Sequence, residues 1–213
     1  MSRSVGRHLP ATFLALALLL VGCDGRADNI SEHHLPAEAR QLEGDLPPTD
    51  PLALEPLYGE ALAALGVELT ARGGLIDRNG TYEVSAEGTH LALYVAPIGE
   101  RTNDEYVDGI VELAKLLLPD VFDRWPGLET FDICQEAPQD NETAYVSTIT
   151  QLDLWRSASD TIDWERVELA DLLRASEQDD RVVVRVMSDL RMHPRVAEAR
   201  REARNGDRDG WGS

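Results

Sequence analysis

Cys134 is the thiol in the body of the chain, and its value as a nucleophile depends on what stands beside it. It falls in a strand-like run, Leu128–Gln135, where Thr130, Asp132 and Cys134 alternate onto one face and Phe131 and Ile133 onto the other. A catalytic thiolate needs an imidazole to take its proton. His90 and His193 are the histidines of the domain, and neither stands in a signature turn. No G-x-S-x-G elbow occurs either. A lone cysteine in such a run reads as a small, buried, apolar residue. His90, just before the most apolar run of the chain, reads as a hydrogen-bonded structural histidine at a strand edge.

Carboxylates are the other candidates. Asp153, Asp160, Asp163, Asp171, Glu165 and Glu168 surround Trp155 and Trp164, the ingredients of a glycosidase cleft or a sugar-binding groove. In a chain with 39 acidic residues such clustering arises by composition. His33 and His34, with Glu32 and Glu38, carry metal-ligating groups, but adjacent histidines on a helix do not point at one ion. The tail Asn205-Gly-Asp207-Arg-Asp209-Gly210 imitates the start of a calcium loop. Its twelfth position falls beyond Ser213, so the bidentate acid is missing. No catalytic, cofactor or metal set is therefore assigned.

These groups need elements to position them. Glu55–Leu65, with apolar residues at 57, 58, 61, 62 and 65, predicts a short helix stopped by Gly66. Strand-like pieces follow at Val67–Arg72, Leu75–Asp77, Thr81–Ser85 and Thr89–Ala96, divided by Gly73-Gly74, Asn79-Gly80 and Glu87-Gly88. Leu91–Ala96 is continuously apolar and reads as a central strand. Thr102-Asn-Asp-Glu105 is a capping box that starts a helix over Asn103–Leu118, ended by Pro119. Strands over Leu128–Gln135 and Ala144–Leu154, a helix over Trp164–Ser176, a strand over Arg181–Met187 and a helix over 194–204 complete the order. Hairpins dominate, and the Asn103 helix is the clear crossover. The expectation is a single α+β domain over 53–205, with a mostly antiparallel sheet packed against a few helices. Its length, about 150 residues, suffices for a proper core.

Residues 24–52 are acidic and broken by Pro36, Pro47, Pro48 and Pro51. They read as a disordered or partly extended linker, and 206–213 as a flexible tail. Ahead of them stand three parts. Arg3, Arg7 and His8 are basic; Ala11–Val21 is apolar apart from Thr12; Leu20-Val21-Gly22-Cys23 ends the run. The apolar stretch is too short to cross a bilayer whose core takes about 20 helical residues, so it reads as a secretory signal. Leu-Val-Gly-Cys resembles the lipobox of bacterial lipoproteins. That resemblance covers residues 1–23 alone. It implies a diacylglyceryl group on Cys23 Sγ, removal of the signal peptide 1–22 and acylation of the new amino group. Two or more chains anchor stably where one holds only marginally.

Without residues 1–22, which hold two arginines and no acid, the formal charge deepens from −19 to −21. Such a surface repels nucleic acid and anionic headgroups. Lys115 is the single lysine among 20 basic residues, a mark of composition bias and not of binding. With Cys23 lipidated, Cys134 has no disulfide partner in the chain. The sequence thus predicts a lipid-anchored, non-enzymatic domain at the outer face of a cell membrane, holding the membrane through Cys23 and binding an unidentified envelope protein or ligand. The alternative is a lipid-anchored hydrolase, carbohydrate-directed, using carboxylates or Cys134.

Overall fold

The computed structural model describes residues 42, 44–77, 84–85, 87–138 and 147–206. Among these residues, five strands and six α-helices follow one another as α1 (Glu55–Ala64), β1 (Val67–Ile76), β2 (His90–Pro97), α2 (Asn103–Arg124), β3 (Thr130–Glu136), β4 (Thr148–Trp155), α3 (Arg156–Ser159), α4 (Leu169–Gln178), β5 (Val182–Val186), α5 (Ser188–Arg191) and α6 (Pro194–Gly206). The strands form one sheet in the order β1-β2-β3-β4-β5. Only β2 and β3 run parallel, joined by α2 as the crossover; the other neighbours are antiparallel. The α+β class predicted from sequence is the observed one.

Alternation along the strands divides the sheet into two faces. Leu91, Leu93 and Val95 of β2, Phe131 and Ile133 of β3, Leu152 and Leu154 of β4, and Val182 and Val186 of β5 belong to one hydrophobic core. That core also takes Leu57 and Leu62 of α1, the apolar stripe of α2, Leu172 of α4 and Val196 of α6. Among the described residues, the helices therefore cover one face, and the polar strand positions fall on the other, apart from Gln135 and Thr150, which bond to each other and to Tyr106 O beneath α2.

Four local differences from the sequence reading have identifiable causes. Gly73-Gly74 does not divide two strands; β1 runs through it, with its register shifting between Leu69 and Gly73. Both glycines have positive φ, 83° and 104°, and a Cβ at Gly73 would meet Ala92 O at 2.2 Å. The pair allows a bulge where a side chain would not fit. Second, Pro119 does not end α2, which continues to Arg124. The apolar phase persists through Val121 and Phe122, both buried, while the bond that Pro119 cannot donate would have gone to exposed Lys115. Third, α4 starts at Leu169, not Trp164, because Glu168 and Asp171 form a reciprocal carboxylate cap there. Fourth, β2 is interior but β3 is the central strand, buried at every position.

Part of the stretch read as linker lies against the domain. Leu42 and Leu46 pack on the core, and Leu42 O accepts from Trp125 Nε1 at 3.2 Å. Pro51 and Leu54 are buried in a 3-10 turn that leads into α1. The Asn79-Gly80 turn lies outside the described residues. No helix among those described is long and apolar enough to cross a membrane.

Candidate functional site

The polar face of the sheet brings Cys134 and Asp132 together with three groups of other strands. Pairing fixes the layout: Tyr94 of β2 stands beside Cys134, Gln151 of β4 faces Cys134, and Asp153 faces Asp132. Arg185 of β5 is in register with Gln151. A connected row results. Arg185 Nη1 donates to Gln151 Oε1 at 3.0 Å, and Gln151 Nε2 donates to Asp132 Oδ2 at 2.7 Å. Cys134 Sγ lies 3.5 Å from Asp132 Oδ1.

The electrostatics follow from this packing. Asp132 is 6% exposed. Burial, and then the Asp153 charge opposite, push its carboxyl up to about 7, against the Gln151 hydrogen bond that favours ionisation. Burial and the Asp132 carboxylate also push the Cys134 thiol well up, so it stays protonated at neutral pH. The Tyr94 hydroxyl is raised to about 12, chiefly by burial. At the far end of the row Arg72 pairs with Glu136, which is wholly buried, and lies 4.5 Å above the Tyr94 ring.

Each group singled out from sequence has a definite place. His90 is buried, and its Nδ1 lies 2.7 Å from Thr130 Oγ1, the hydrogen-bonded edge histidine that was expected. Four strand positions, about 13 Å, separate it from the Tyr94–Cys134 level. His193 is at the other end of the fold, 3.4 Å from Asp104. Neither imidazole stands beside the thiol.

The carboxylates around the tryptophans do not converge. Glu168 and Asp171 cap α4, Asp163 stands 3.9 Å from Arg166, and Asp160 and Glu165 are exposed. The Trp164 indole is held by Ser159, with Nε1 donating to Ser159 Oγ at 3.1 Å. Only Asp153 of that group joins the polar face.

Grooves of about 520 Å³ beside α4, lined by Ile162, Arg166, Leu172 and Ala175, and about 600 Å³ beside Glu68, Ala96 and Pro138, lie away from Asp132 and Cys134. Among the described residues no cluster of three or more His, Cys, Asp or Glu is placed to hold a metal ion. Cys23, His33, His34 and the calcium-like positions from Asp207 onward lie outside the described residues.

Tyr94, Gln151, Arg72 and Glu136 were not singled out from sequence. Their signal was present in part: TFDICQE and TITQLDLW both alternate polar with apolar residues. What local sequence lacks is the register that sets Gln151 and Asp153 against Cys134 and Asp132. No family model, no curated protein and no solved structure matches this chain.

Proposed function

We propose that this chain is a lipid-anchored protein displayed outside the cytoplasmic membrane, where its domain binds an envelope protein or ligand. The observation that carries the reading is the N-terminal series: basic Arg3 and Arg7, the apolar run 11–21, and Leu20-Val21-Gly22-Cys23. Each part has a physical use in export and attachment. The basic end stays on the cytoplasmic side, the short apolar run engages the export machinery, and the thiol carries the lipid.

The strongly acidic body suits this position, because it is repelled by anionic headgroups and stands off from the surface that holds its anchor. For binding we assign the polar face of the sheet, where half-buried Tyr94, Gln151 and Asp153 and exposed Arg185 offer hydrogen-bonding groups of both kinds. The decisive experiment is Cys23→Ser, followed by membrane fractionation. The wild-type protein is expected with the membranes and the variant in the soluble fraction. Identical fractionation of the two refutes the anchor.

A further inference from the structure

Two carboxyl groups directly opposite on neighbouring strands are an unfavourable arrangement unless something relieves it. The ladder bonds show how close this pair is brought. Arg156 N–H donates to Glu129 O, and Trp155 N–H donates to Arg181 O. The β3–β4 bonds therefore fall at Glu129, Phe131, Ile133 and Gln135, while Asp153 spends its own backbone bonds on β5. Asp132 and Asp153 consequently occupy a non-hydrogen-bonded pair, the closer of the two kinds, with Cα atoms about 4.5 Å apart.

We propose that the facing Asp132 and Asp153 carboxyls act as a proton-operated switch, which holds β3 and β4 together when it carries one proton and loads the polar face with negative charge when it loses it. The groups facing the pair are Gln151 from β4, Cys134, Thr130 and Glu136 along β3, Tyr94 and His90 from β2, Arg185 from β5 and Arg72 from β1. With Asp132 protonated, these described charges balance in number, Arg72 and Arg185 against Glu136 and Asp153. With Asp132 ionised, the face carries one more negative charge than it can offset, and Asp132 is buried where water cannot screen it. The raised carboxyl of Asp132 agrees with that geometry.

The direction of the effect follows from linkage. Asp132 binds its proton more tightly folded than unfolded, so its contribution to stability is full below about pH 4 and declines as pH rises through about 7. In the purified protein, urea titrations should show the folding equilibrium constant falling as pH rises from 5.5, by up to about tenfold per unit, and levelling above about 7.5. Asp132→Asn should lack this fall, and Asp153→Asn should move it to lower pH. His90 and His193 are common to all three proteins, so the differences isolate the pair. Parallel profiles for the wild type and Asp132→Asn overturn the proposal. Should a variant fail to fold, the side-chain ¹³C carboxyl resonance of Asp132 in the wild type decides the matter. Titration near 7 supports the switch, and titration in the ordinary aspartate range refutes it. The switch rests on the sheet alone, so soluble Cys23→Ser protein would leave it unaffected.

Discussion

A Cβ at position 109, in the middle of α2, would lie 2.3 Å from Gln135 Oε1 and 2.6 Å from Arg101 Nη2. Neither neighbour is free to give way. Gln135 Nε2 donates to Tyr106 O at 2.9 Å and Thr150 Oγ1 at 2.6 Å, and Arg101 Nη2 donates to Glu105 O at 2.8 Å. Alanine would improve helix propensity by about 1 kcal/mol, whereas the clash and broken bonds cost about 1–3 kcal/mol each. Gly109→Ala is therefore expected to lower stability in urea denaturation by about 1–3 kcal/mol net; a gain would show that propensity wins. At this scale the sequence was uneven. Cys134 was legible because strand alternation says which way it points, and His90 because it stands just before an unbroken apolar run. Gly109 was not, because the reason for a glycine there lies on β3, 26 residues further along.

Among the elements, helices begin at Glu55, Asn103 and Pro194 as expected from sequence, and the start of α2 shows why. Thr102 accepts from Glu105 N–H at 3.3 Å, and Glu105 Oε2 accepts from Thr102 N–H at 2.6 Å, as their spacing predicted. Thr102→Ala should cost about 1 kcal/mol in chemical denaturation, since two orphan donors lose their order. The start of α4 was misread because Trp164 carries the apolar period backward from Leu169, while a turn in which Val167 N–H donates to Asp163 O occupies the stretch between. The edge strand β5 shows another device that propensity does not reveal. Its outward Val184 N–H is taken by Ser176 Oγ at 3.2 Å, and its Val186 O accepts from Arg191 Nε at 3.1 Å. Covered groups of this kind keep an edge from pairing with other chains. Ser176→Ala should cost only about 0.5–1.5 kcal/mol of stability. Its larger expected effect is concentration-dependent association, read by light scattering. A variant as monodisperse as the wild type would show that Ser176 does not guard the edge.

For the whole molecule, the order of helices and strands specified the class, because the crossover helix and the alternating strands each have a strong local period. The polar face was only half legible, since it is made by register between strands and not within any one of them. Asp132 and Asp153 are 21 positions apart in sequence and meet because the β3–β4 hairpin places them level. The strand order has one more consequence. Every strand lies beside its predecessor in the chain, so the sheet grows from β1 to β5 in the order in which residues emerge from a ribosome or a translocation channel. No late segment has to be threaded between strands already paired, and β5 arrives last at an open margin. The pairings nevertheless span long stretches of chain, as between His90 and Thr130, so each addition waits until the next strand has emerged. A polypeptide delivered end-first through a narrow pore can thus add each new strand to one already outside, and its core closes only when Val196 of α6 arrives.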